Sequence, residues 1–197
     1  MSATWYTADL HFGHANIITY SDRPWDTPEE MDAGLVERWN SRVADDDTVW
    51  VLGDVSLTPK KLGPVASLNG TKILVAGNHD ACWTGNRRSE RARRAVSEYL
   101  DAGFAAVHES GVVRHHSVGD HDVDLSHLPY VGDHTESDRY ADRRPSDEGR
   151  PLICGHVHDA WRVHGRQINV GVDVWDYAPV SAQVLAEELA KLPSTSR

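Results

Sequence analysis

Leu152-Ile153-Cys154-Gly155-His156-Val157-His158 begins as an apolar run and breaks off in Gly-His-x-His. A short apolar run stopped by glycine predicts a buried strand. Histidines two apart just past its end can reach over the carboxyl edge of a sheet, provided the chain turns there. Two imidazoles in that position can bind one metal together or serve one ion each of a pair. Two histidines do not complete a metal site, so the question is whether the rest of the chain supplies partners.

Four more apolar runs end in the same manner. Residues 3–8 lead into Asp9-Leu10-His11, residues 48–52 into Gly53-Asp54, residues 72–76 into Gly77-Asn78-His79-Asp80, and residues 123–125 into Ser126-His127. Each ends in a group that binds a cation or moves a proton. Sites in open α/β sheets form beyond the carboxyl ends of the strands, so five such ends predict one convergent site. Taken singly, a His or Asp after a strand usually caps a helix or meets water; the joint pattern carries the reading.

In the order D-x-H, G-D, G-N-H-D, S-H and G-H-x-H, from Asp9 to His158, the chain resembles the calcineurin-like metallophosphoesterase superfamily. Phe12-Gly13-His14-Ala15-Asn16-Ile17-Ile18 and the terminal stretch around Asp173 are similar to a small bacterial and phage branch of it. The resemblance implies a four-layer αββα sandwich, with two packed mixed β-sheets flanked by helices. It also implies one metal on Asp9, His11 and His158, a second on Asn78, His127 and His156, and Asp54 bridging both. The activity implied is phosphoester hydrolysis by in-line attack of metal-bound hydroxide, with His79 as the acid that protonates the leaving oxygen.

Physical chemistry supports that assignment independently. Two divalent ions roughly 3.5–4 Å apart can hold a hydroxide and clamp a phosphoryl oxygen. The two oxygens of Asp54 can span two cations, and the amide oxygen of Asn78 suits manganese or Fe(II). A mixed nitrogen and oxygen set without thiolate argues against a structural zinc site. Manganese is the first choice, with iron, nickel, zinc and magnesium open. Proton transfer by His79 contributes on the order of 10²–10⁴ in rate. Asp80 adjoins His79, but adjacency does not place its side chain.

Composition sets the outer bounds. The 197 residues predict a single domain over 1–197, and 40% hydrophobic with 25% charged residues excludes wholesale disorder. The sequence shows neither a secretory signal nor an apolar run near membrane length. Two cysteines, Cys82 and Cys154, do not make a disulfide framework, and a cytoplasmic setting is expected. A formal net charge of −10 opposes a generally basic nucleic-acid binder. Bound cations would nevertheless attract phosphate locally.

Four residues are candidates for substrate contact. His14 and Asn16 follow the first ligands, though a supporting or surface place is the preferred reading for them, and Arg23 stands in the next loop, where a surface role is preferred over a phosphate contact. Arg139 belongs to residues 131–150, a long segment poor in apolar side chains that joins His127 to the strand before His156 and is read as a specificity loop. Asp173 is expected to support a ligand histidine. His108, His115, His116, His121, His134 and His164 match no motif and are assigned to surface or structure.

The remaining elements follow from local signals. Thr27-Pro28-Glu29-Glu30 predicts a helix start that turns Met31, Leu35, Val36 and Trp39 toward a sheet. A short helix is expected over 59–68 and another over 86–100, the latter with Arg87, Arg91 and Arg94 on one face. That stripe reads either as a phosphate contact or as a solvated face in a chain with 16 Arg against 4 Lys. Strands at 105–107, 112–115 and 121–125 predict a meander, 160–163 and 167–170 a hairpin, and Ser181 caps a helix through Leu192. The function expected is a phosphodiesterase acting on cyclic nucleotides, nucleotides or nucleic-acid ends. A phosphomonoesterase is the nearer alternative, and a non-catalytic metal-binding scaffold the alternative of another class. Oligomeric state has no signal in the sequence.

Overall fold

In a computed structural model describing residues 2–85, 89–135 and 139–193, the apolar runs of the first half build a parallel sheet joined by helices. Strand β1 (Thr4–Thr7) leads to α1 (Ala15–Tyr20) and α2 (Pro28–Asn40). β2 (Thr48–Val51), β3 (Thr71–Val75), α3 (Ser89–Asp101) and β4 (Phe104–His108) follow. The second half supplies β5 (Val112–Val118), β6 (His121–Ser126), β7 (Leu152–Cys154), β8 (Val163–His164), β9 (Gln167–Asn169), β10 (Val180–Ser181) and α4 (Ala182–Leu189).

Two mixed five-stranded sheets result, ordered β10-β1-β2-β3-β4 and β5-β6-β7-β9-β8. In the first, β1 to β4 run parallel and β10 antiparallel. Alternation along the strands makes two cores. Val49, Val51 and Leu74 face α2 and α3, where Met31, Leu35, Trp39 and Tyr99 cover them. Leu52 and Val75 face the other way and meet Val123, Leu125, Ile153 and Ile168 of the second sheet. Each such side chain, fully buried, contributes about 1.5–3 kcal/mol. The outcome is the expected α/β sandwich of two mixed sheets flanked by helices.

Local signals explain most boundaries. Thr27 accepts a hydrogen bond from the Glu30 amide while the Glu30 carboxylate accepts from the Thr27 amide, so α2 begins in a capping box. Ser181 caps α4 by accepting from the Val184 amide, though that helix stops at Leu189 and not at Leu192. Residues 59–68 form two 3₁₀ segments instead of one helix, since Pro64 lacks the amide a continuous helix would use. The expected meander divides: β4 joins β3 in parallel through the α3 crossover, and of its three strands β5 and β6 alone pair as a hairpin, while β8 and β9 form the second expected one. Arg87 lies outside the described residues. Among the described residues no helix is long and apolar enough to cross a membrane, and both cysteines are free and buried.

Candidate metal centre

The carboxyl ends of β1, β2 and β3 in one sheet and of β6 and β7 in the other meet at one place. A single bridge between Ala8 and Gly171 ties the end of β1 to the chain leaving β9. Past the strands the chain must turn sharply, and it does so on the candidate ligands themselves. Asp9, His11, Asp54, His156 and His158 all have positive φ, from 48° to 72°. Side chains other than glycine rarely occupy that region, and such strain collects at functional sites. Neighbouring glycines make the close approach feasible. A Cβ on Gly77 would lie 2.3 Å from Asp54 Oδ1, and one on Gly155 would lie 2.8 Å from Asp9 Oδ2.

The seven candidate ligands are brought together. Asp9, His11 and His158 offer ligand atoms within 4.8 Å of one another, as do Asp9, Asp54 and His127. Asp54 Oδ2 lies 3.3 Å from His127 Nε2 and 3.7 Å from His11 Nε2, between the two halves of the cluster. His127 Nε2 is 2.9 Å from Asn78 Oδ1, and the rings of His127 and His156 are 5.4 Å apart. Both ring nitrogens of His11 are buried with no hydrogen-bond partner among the described residues. A buried polar atom left so costs about 1–3 kcal/mol, and a cation on one nitrogen would relieve it. The donor set therefore fits divalent metal.

Surrounding groups fix how the histidines point. His127 donates from Nδ1 to the Leu52 carbonyl at 2.8 Å, and His158 from Nδ1 to Asp173 Oδ2 at 2.9 Å. In each the other nitrogen is left to face the cluster. Burial depresses the pKa of His11 and takes His156 down to about 3. Burial also works against the charged form of His127, yet the carboxylate of Asp54 prevails and raises it to about 9. Desolvation lifts Asp9 to about 6 despite His158 and His127. For Asp54 the same desolvation is overcome by His127, and its pKa falls well below the usual range.

His79 lies at the rim, its side chain 42% exposed and its Nε2 4.0 Å from Asp54 Oδ2. Its backbone amide donates to Asp54 Oδ1 at 2.9 Å, and burial lowers the pKa of its ring. Asp80 does not orient it: that carboxylate accepts from the amides of Asp54, Val55 and Gly77 and braces the turn.

The Gene 66 protein of Mycobacterium phage L5 is 42% identical over 188 residues, covering 89% of this chain and 88% of the phage protein. The chain belongs to the family of the mycobacteriophage Gene 66 proteins. The Gene 66 protein of Mycobacterium phage D29 is 38% identical over 190 residues, with 91% and 93% covered. A protein of Methanocaldococcus jannaschii is 27% identical over 205 residues, with 97% of this chain and 93% of that one covered. Among solved structures, a protein of unknown function from Aquifex aeolicus matches with a TM-score of 0.67 at 24% identity, over 95% of this chain and all of that chain, and so shares the fold. No family model matches the chain.

The candidate substrate contacts fare unequally. His14 stands beside His11 with ring centroids 5.5 Å apart and its Nδ1 buried without a partner among the described residues, while Asn16 is exposed on α1. Arg23 is neither a surface arginine nor free to bind phosphate. It is buried, and its guanidinium is committed to Asp173 and to the carbonyls of Asp9 and Leu10. Arg139 holds Asp133, with Nη2 3.0 Å from Oδ1, and reaches His134 at 2.9 Å.

Those last two residues lie outside the motifs. Asp133 Oδ2 is 3.3 Å from His156 Nε2, and Asp133, His134 and His156 make a third group able to hold a metal. His134, assigned above to surface or structure, faces the rings of His156 and His158 instead. The signal for both was positional: they open the long segment that starts just after His127.

Proposed function

We propose that the chain is a dinuclear-metal-dependent phosphoesterase of the calcineurin-like kind. Its support is the convergence of five strand ends on one largely buried Asp, Asn and His cluster, in which the His11 ring has no hydrogen-bond partner among the described residues. Bound there, two divalent ions supply Lewis-acid stabilisation to a phosphoryl group. Manganese is the metal proposed first for this mixed set of nitrogen and oxygen donors.

The chain's own residues have these roles in the proposal. Asp9, His11 and His158 hold one ion, Asn78, His127 and His156 the other, and Asp54 reaches both. Asp173 and the Leu52 carbonyl fix the rings of His158 and His127. His79, exposed at the rim and tethered to Asp54 through its backbone, gives a proton to the leaving oxygen. His14, whose ring lies 5.5 Å from that of His11, and Arg139, which reaches His134, are the substrate contacts kept in the proposal.

Diesters are the proposed substrates, including cyclic nucleotides, nucleotides and nucleic-acid ends. The test is manganese-dependent turnover of bis-p-nitrophenyl phosphate against p-nitrophenyl phosphate, with His79→Ala alongside. Faster diester cleavage supports the reading; faster monoester cleavage makes the protein a phosphatase. Turnover of neither above the level without added metal, under any of the candidate metals, makes it a scaffold.

A further inference from the structure

Two arginines of α3 line grooves that lead away from the candidate centre. One groove, of about 320 Å³, is lined by Asn78, His79 and Arg91, with Thr58 and Pro59. A second, of about 340 Å³, shares Thr58, Pro59, Ala81 and Arg91 with the first and adds Lys60 and Arg94. Shared walls make the two adjoin, so their lining runs from His79 past Arg91 to Lys60 and Arg94.

The charge along this path opposes that of the whole protein, which is −10. Lys60, Arg91 and Arg94 are exposed and form no ion pair among the described residues, whereas Arg93 on the same helix reaches Glu109 at 3.5 Å. Glu90 and Glu98 stand one turn either side of Arg94 on α3, and neither comes within 4 Å of these cations among the described residues. Glu98 lines the outer groove, and Asp80 spends its oxygens on backbone amides. Arg91 and Arg94, three apart on a helix, have Cβ atoms about 5–6 Å apart, a spacing on the scale of successive phosphates in an extended strand.

We infer that this groove is a subsite for a leaving group that itself carries phosphate, which makes the substrate a short single-stranded oligonucleotide. The inference rests on the phosphoesterase reading in one respect: if His79 protonates the leaving oxygen, whatever departs lies on the His79 side, where the groove begins. A small cyclic nucleotide would leave Lys60 and Arg94 unused.

The experiment compares kcat/KM for a thymidine tetranucleotide with kcat/KM for bis-p-nitrophenyl phosphate, in wild type and in Lys60→Ala/Arg94→Ala, across a salt series. The ratio is expected to fall about tenfold at low salt, and the log–log salt slope for the tetranucleotide to flatten by about 1.4, at about 0.7 per cation removed. An unchanged ratio and slope overturn the subsite. If wild type cleaves neither compound, the phosphoesterase reading has failed, and the subsite is then judged by fluorescence anisotropy of the labelled tetranucleotide on metal-free protein. Weaker, less salt-dependent binding by the variant upholds it; equal binding rejects it.

Discussion

Arg23 Nε lies 2.8 Å from Asp173 Oδ1, and the two side chains are 0% and 1% exposed. The same Asp173 receives the His158 ring on its other oxygen, so the arginine acts on the candidate metal centre through it. Burial alone would push the Asp173 carboxyl up; His158 and Arg23 hold it below the usual range. A charge in that position with its partner removed is costly. Arg23→Met is expected to lower stability by about 3–5 kcal/mol, read from urea unfolding. A loss under about 1 kcal/mol would show that the pair is dispensable.

Asp173→Asn keeps the shape but weakens the grip on the His158 ring. Metal affinity at one of two sites is expected to fall about 10–100-fold, measured by chelator competition with stoichiometry by atomic emission. Equal affinity at both sites would leave Asp173 with a purely structural task.

Metal binding is expected to release protons. The His127 pKa is raised to about 9 beside Asp54, so near neutrality an imidazolium stands where a cation would sit. A ligand histidine must be neutral. The sign follows: apparent affinity for manganese increases as pH rises toward about 9. Titration calorimetry in buffers of different ionisation enthalpy reads the proton count directly. A heat that does not vary with buffer would contradict the placement of His127 among the ligands.

His79→Ala separates proton donation from metal binding. An ester of an acidic phenol departs without help, whereas an alkoxide needs a proton. The variant is expected to lose about 10²–10⁴ in kcat on an alkyl diester and far less on bis-p-nitrophenyl phosphate, with metal content unchanged. An equal loss on both substrates would assign His79 to positioning.

The strand ends were legible because each couples a periodic apolar run to a polar stop, a signal that survives without tertiary context. What escaped has its partners far away in sequence. Arg23 sits alone between Asp22 and Pro24 and finds Asp173 150 residues later. Asp133 and His134 stand in a loop, where no period marks which side chains face inward. The strand at 105–107 resembles its neighbours in composition, and only the α3 crossover decides that it joins the first sheet.

Asp124, away from the candidate metal centre, is a further case. Asp124 interrupts the apolar run at residues 123–125, and its carboxylate is 0% exposed. Arg114 and Arg150 reach it at 2.5 and 2.8 Å, and the Tyr130 hydroxyl at 3.0 Å. Together they tie β5 and β6 to the two ends of the long segment. Burial raises the Asp124 pKa, but the hydrogen bonds from Arg150, Arg114 and Tyr130 outweigh it and hold the group low. Its contribution is therefore complete above the unfolded pKa of about 3.9 and fades as pH falls through the lower folded value. Asp124→Asn is expected to cost roughly 3 kcal/mol near neutrality, the lower end for a broken buried pair because both arginines can turn to water. That gap should narrow below about pH 4, followed by urea unfolding across pH. A constant gap would mean that the cost is one of packing, not of charge.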